Sequence, residues 1–203
     1  MQALVLNITD WISYHIADRL LSEGYEVNAV KSNNNNEHLV DFFPRNSNFE
    51  LVEEPLQTSY PLVICVGPLP QFAKKLECKR IFLINSDSIN LDHAISIQAP
   101  YLFGEWMPLS DDDLLQNENQ ITFSASEYEK EGLYIADFLE VFMEWVEKEP
   151  PNSEIYMKSK RNGENTGKKL EKTFLVDENV PIEENLKQVI SHYQQFKDLY
   201  QSS

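Results

Sequence analysis

Two short apolar runs, LVICV at residues 62–66 and IFLI at 81–84, constrain this chain more than any other feature. A strand with one wet face alternates apolar and polar residues. A continuous apolar run belongs to a strand covered on both faces, which is the situation of a parallel sheet packed between helices. ALVL, from Ala3 to Leu6, is a third run of this kind. After it, Ile12, Ile16, Leu20 and Leu21 recur at helical spacing, and Gly24 stands where a helix ends. YEVNAV, Tyr25 to Val30, then reads as a second strand. A helix of that length permits a right-handed crossover, so the two strands are predicted to be parallel neighbours. The expected fold is α/β: a Rossmann-like, doubly wound, mainly parallel sheet with helices on both faces. Its strands are centred on Val5, Val27, Ile64, Phe82 and Ile97.

The remaining elements follow in order. KSNNNNEH, Lys31 to His38, predicts a mobile polar loop, and FELVEE a third strand. A short helix is expected from Gln71 to Glu77, and AISIQAP, Ala94 to Pro100, reads as a strand. LSDDDLLQ has the form of a helix start with Ser110 as N-cap. GLYIADFLEVFMEWVEKE is the clearest amphipathic helix, closed by Pro150 and Pro151. SEIYMKS and TFLVD read as strands, and PIEENLKQVISHYQQFKDLY as a closing helix. The expectation is one integrated domain over residues 1–203, with a core sheet in 1–110 and further helices and strands in 111–203.

Composition narrows the function classes. A hydrophobic fraction of 42% in 203 residues supports a folded core. The net charge of −16, from 33 acidic and 17 basic residues, opposes nucleic acid and anionic membrane as partners. No run approaches the roughly 18 apolar residues of a membrane span. The start, MQALVLNITDW, lacks the pattern of a secretory signal. Cys65 and Cys78 offer no disulfide framework. These features predict a cytoplasmic protein. The four histidines, His15, His38, His93 and His192, are scattered without ligand spacing, so no metal is expected.

Several phrases, in this order, resemble the extended short-chain dehydrogenase/reductase superfamily, in particular its NAD-dependent epimerases and dehydratases. LVLNITDWISYHIADRLLSEGYEVNAV is similar to that family's first strand, phosphate loop, helix and second strand. KRIFLINSDS resembles the strand that ends in its catalytic serine or threonine, and SIQAPYLFGEWMP its R-P-x-x-x-Y-G-P stretch. LYIADFLEVFMEWVEKEPPNSEIYMKS resembles the segment in which V-x-D opens a helix, and VPIEENLKQVISHYQQF the closing helix.

The resemblance also marks departures. The family's G-x-x-G-x-x-G loop falls on Asn7, Asp10 and Ser13, and all three glycines are replaced. Those glycines let a pyrophosphate approach the helix N-terminus and let the helix pack against the strand. Asp10 would set a carboxylate where the helix dipole otherwise holds phosphate, and Thr9 or Asp10 also serves as an ordinary N-cap. The family's Y-x-x-x-K helix has no room in Ser86 to His93, so the fold is expected to be truncated relative to the family. Ser86 or Ser88 would be the relic of the family serine. Loss of that helix also alters the family's usual dimer face, which implies a homo-oligomer of another geometry or a protein partner.

These departures imply a protein without catalytic residues, cofactor or enzymatic activity, acting in a binding, regulatory or scaffold role. A second reading is a nucleotide or small-molecule sensor binding at the strand ends, around Asn7, Thr9, Trp11, Gly67 and Ser86. A third is an NAD(P)-dependent oxidoreductase or epimerase with a rebuilt site. Three further features read as structure. Gly163 to Lys169 lacks the spacing of a phosphate loop, Asp111 to Asp113 complements a helix dipole, and Trp106, Met107 and Pro108 line a pocket or cover an edge.

Overall fold

The computed structural model describes residues 1–31, 37–43, 45–87, 91, 93–110, 114–117, 120–123, 128, 131–160 and 172–200. The chain divides into two compact units. One comprises Met1–Gln98 and Asn152–Ile155, the other Ala99–Pro151 and Tyr156–Ser202.

The first unit is built on β1 (Gln2–Leu6), β2 (Glu26–Val30), β3 (Phe49–Val52), β4 (Ser59–Val66), β5 (Glu77–Ile84) and β6 (Ala94–Gln98). Their order is β6-β5-β4-β1-β2-β3, all parallel, which is the Rossmann arrangement with the chain reversing direction between β1 and β4. Beyond β6, the Ser96 N–H donates to the Ser153 carbonyl, where β11 (Glu154–Ser159) begins. The apolar runs occupy the central strands, and Leu4, Val5, Leu6, Val63, Ile64, Phe82 and Ile84 are buried.

Both faces of this sheet are covered, for different reasons. α1 (Trp11–Ser22) buries Ile12, Ile16, Ala17, Leu20 and Leu21, the stripe anticipated from its spacing. The 3-10 segment Glu37–Phe42, which links β2 to β3, meets α1 where Tyr14 packs on Phe42 and Phe43. On the other face Leu4 and Leu6 align with Val63 and Cys65, and these with Ile81 and Leu83. That stripe packs with Ala73 from the 3-10 segment Gln71–Lys75. Reversal of direction at β1 puts the two sets of right-handed connections on opposite faces. Gly24, at φ +81°, ends α1 in the left-handed conformation that favours glycine.

The second unit holds β7 (Leu102–Phe103) paired in parallel with β10 (Leu133–Tyr134), and an antiparallel hairpin of β8 (Leu114–Asn117) and β9 (Gln120–Phe123). It also holds α2 (Ile135–Glu147), α3 (Ile182–Tyr200), and β12 (Thr173–Val176) alongside β11. The helix start expected at LSDDDLLQ is corrected here, because Leu114–Asn117 is a strand. An N-cap is a local preference, whereas pairing with QITF only two residues on supplies a complete backbone partner. Asp111 to Asp113, Ser88, the asparagine run at 33–36 and Gly163 to Lys169 lie outside the described residues.

Candidate functional site: the ends of the central strands

In an open α/β sheet a ligand binds beyond the carboxyl ends of the strands, where strand order reverses. Here that point lies between β1 and β4. Asn7 follows β1 at φ +60°, a left-handed conformation that asparagine tolerates better than most residues. This turn leads directly into α1, and the Asp10 N–H closes it on the Asn7 carbonyl at 2.9 Å.

Asn7, Asp10 and Ser13, the positions the resemblance matches to a glycine loop, carry side chains with internal partners. Asn7 Nδ2 donates to the carbonyls of Val66 (2.7 Å) and Pro68 (3.0 Å), tying the end of β1 to the end of β4. Ser13 Oγ donates to the Leu6 carbonyl at 3.3 Å, so the third of these residues bonds the strand it packs against. Asp10 caps α1: Oδ1 accepts from Ile12 N–H at 2.8 Å and from Ser13 N–H at 3.4 Å. That is the cap the sequence predicts. The carboxylate therefore engages two of the N–H groups that a helix N-terminus offers to an anion. Burial pushes its pKa up, more than the two backbone bonds pull it down.

The neighbouring strand ends are tied in the same way. Gly67, at φ +71°, donates its N–H to the Ile84 carbonyl at 2.8 Å. Asn85, at φ +48°, donates to the Ile97 carbonyl at 2.8 Å, and Gln98 Nε2 donates to the Ser86 carbonyl at 2.8 Å. Asn7, Thr9, Trp11, Ser13 and Ser86 are all buried. Ser86 Oγ is buried without a hydrogen-bond partner among the described residues. Asn7, Thr9, Asp10, Trp11, Ser13, Gly67 and Ser86 thus gather at the strand ends of one unit.

Sequence reasoning missed two participants. Asn85 and Gln98 complete the chain of strand-end bonds, and only strand register shows them. Cys65, read as an ordinary core cysteine, sits in register with Leu6 and lies 3.6 Å from Asn7 Nδ2. Burial, reinforced by the charge of Asp10, pushes its thiol up to about 12, which leaves it an inert packing group. Trp106, in the second unit, packs among His192, Phe196 and Tyr200, and its backbone N–H donates to Tyr200 Oη at 2.8 Å. Among the described residues no group of histidine, cysteine, aspartate or glutamate has the form of a metal site, and no helix is long and apolar enough to cross a membrane.

The parallel sheet with its switch point defines a Rossmann-like fold, and solved NAD-dependent epimerases and dehydratases are similar to it. A UDP-glucose 4-epimerase from Thermotoga maritima, solved with UDP-glucose, superposes with a TM-score of 0.62 at 10% identity, over 97% of this chain and 100% of that one. A dTDP-glucose 4,6-dehydratase from Bacillus anthracis, solved with NAD, gives 0.60 at 10% identity over 98% of each chain. The yeast methylglyoxal/isovaleraldehyde reductase Gre2, solved with NADPH, gives 0.56 at 13% identity over 98% and 100%. No protein-family model matches the chain, and no curated protein matches it.

The expectation that this chain is not an enzyme is corrected by those likenesses: the three solved structures named above are a 4-epimerase, a 4,6-dehydratase and a reductase. The physical reason is that a sequence motif describes one arrangement of groups on a fold. The glycines and Y-x-x-x-K describe one way of seating a dinucleotide and moving a proton. Other groups placed at the strand ends can do chemistry on the same frame.

Proposed function

We propose that this chain acts through binding, in a regulatory or scaffold capacity, on a dehydrogenase-like frame, and that no dinucleotide is seated on the N-terminus of α1. The observation that carries the reading is the Asp10 carboxylate, bonded to Ile12 N–H and Ser13 N–H. A pyrophosphate brought to that place would meet a negative charge already holding the donors it needs. The net charge of −16 favours a protein partner or a second copy of the chain over nucleic acid or an anionic membrane. Thermal unfolding with NAD(H), NADP(H), UDP-glucose and dTDP-glucose tests the proposal. Nicotinamide dinucleotides are expected to leave the midpoint unchanged. A saturable rise following ligand concentration would overturn it.

A second reading is favoured by Ser86, whose hydroxyl is buried without a partner among the described residues. A small molecule bound at the ends of β4 and β5 would satisfy it, because an unmatched buried hydroxyl is costly. In that case one of the sugar nucleotides raises the midpoint, and Ser86→Ala abolishes the rise.

A further inference from the structure

In the second unit the first turn of α2 carries Asp137, which is 3% exposed. Its Oδ1 accepts from the backbone N–H of Asn179 at 3.3 Å and from Asn179 Nδ2 at 2.9 Å. Asn179 Nδ2 also donates to Glu140 Oε2 at 2.9 Å. Asn179 stands just before α3, so these bonds fasten the entry of α3 to the start of α2. Asp137 Oδ2, by contrast, is buried with no partner among the described residues. Asp137 lines a narrow pocket with Phe103, Gly132, Tyr134, Glu178, Ile182 and Asn185. An ionised carboxylate there would leave a charged oxygen with no donor among the described residues, the most costly state for a buried polar atom.

We propose that Asp137 and Asn179 form a proton-operated catch, closed while Oδ2 carries a proton and released when it ionises. The surrounding groups act in the same sense. Glu140 on α2 and Glu178 after β12 are carboxylates whose charge opposes ionisation of Asp137. Tyr134 on β10 donates to Glu105 Oε1 at 2.9 Å, so its hydroxyl is directed to another carboxylate. α3 and β7 contribute Ile182, Asn185 and Phe103 to the pocket, none of them charged. Burial is the largest influence on Asp137, and it raises the pKa against the two Asn179 bonds that lower it. Ionisation by itself strengthens the two Asn179 bonds to Oδ1, but burial outweighs them, and the segment around Asn179 has to part, breaking both, before Oδ2 is hydrated.

The test is a carboxyl-carbon NMR titration of the whole protein, with the Asp137 signal assigned by its loss in Asp137→Asn, alongside hydrogen-exchange protection of the Asn179 amide. Asp137 is expected to titrate well above an exposed aspartate, and Asn179 protection to fall at least tenfold through the same midpoint. In Asp137→Asn, which keeps a neutral acceptor, protection stays level with pH. Glu140→Gln, which keeps the acceptor and removes a charge, moves the midpoint to lower pH. An Asp137 signal already ionised at the pH of an exposed aspartate would overturn the proposal. So would Asn179 protection that is flat through the Asp137 midpoint, or a midpoint unmoved by Glu140→Gln.

Discussion

Asn7 and Asp10 show how two side chains satisfy the backbone around a tight strand-to-helix turn. Asn7 accepts the left-handed turn at φ +60° and spends its amide on the Val66 and Pro68 carbonyls. Asn7→Ala keeps the strained turn and strands those acceptors, which should cost about 1–3 kcal/mol. Asn7→Gly loses the same bonds but relieves a left-handed penalty of roughly 1 kcal/mol, so it should be the less damaging change in urea unfolding. At Asp10 the cap and the charge separate cleanly. Asp10→Ala removes the cap and should cost about 1 kcal/mol. The folded pKa of Asp10 lies above its unfolded value, so the stabilisation linked to its proton is greatest below the unfolded pKa. It is lost as pH rises through the folded pKa. Asp10→Asn keeps an acceptor and removes that dependence. Its stability relative to the unmodified protein should rise as pH climbs from the unfolded pKa of an aspartate through the folded pKa of Asp10, measured by denaturant unfolding across the series. The glycine positions were legible because a motif supplies their spacing. The partners of Asn7 were not, since Val66 and Pro68 lie some sixty residues on and meet it only through the β1–β4 register.

Elements with a strong internal period read well from the sequence, and elements that depend on a neighbour did not. α1 buries the Ile12–Ile16–Leu20 stripe, and α2 buries Phe138, Leu139, Phe142 and Trp145. LSDDDLLQ has the form of a helix start because Ser110 and the aspartates after it mimic a cap, but Leu114–Asn117 pairs instead with Gln120–Phe123. α2 begins at Ile135 and not at Gly132, because Leu133 and Tyr134 are taken by pairing with β7. A Cβ at Gly132 would lie 2.3 Å from the Tyr128 carbonyl oxygen, so that glycine is fixed by backbone approach. Within α2, Phe138 and Phe142 stack with centroids 5.6 Å apart, and both are fully buried. Phe138→Ala should therefore cost about 3–5 kcal/mol, read as a lower unfolding midpoint. On α3, whose helix is interrupted at Phe196, Tyr200 Oη joins the Trp106 N–H to His192 Nδ1 at 2.8 and 2.7 Å. Tyr200→Phe deletes both bonds and should cost about 1–3 kcal/mol, accompanied by a change in tryptophan fluorescence.

For the whole molecule, likeness of fold and likeness of sequence part company. Identities of 10–13% with the three enzymes described above accompany TM-scores of 0.56–0.62, because burial on both sheet faces constrains polarity and size far more than identity. The net charge of −16 works against any compact state through self-repulsion. Raising salt from about 0.02 M to about 0.2 M should raise the thermal midpoint at neutral pH, as the Debye length shortens from roughly 20 Å to below 10 Å. A midpoint insensitive to salt would show the acidic groups to be locally compensated. As proposed above, Asp10 holds the N-terminus of α1 closed to a pyrophosphate. Amide NMR reads it at the atoms concerned, the N–H groups of Ile12 and Ser13 that bond Asp10 Oδ1. With NADH added to the unmodified protein, these two signals are predicted to stay in place. A saturable shift of both, with the nucleotide's phosphorus signals moving in step, would contradict the account.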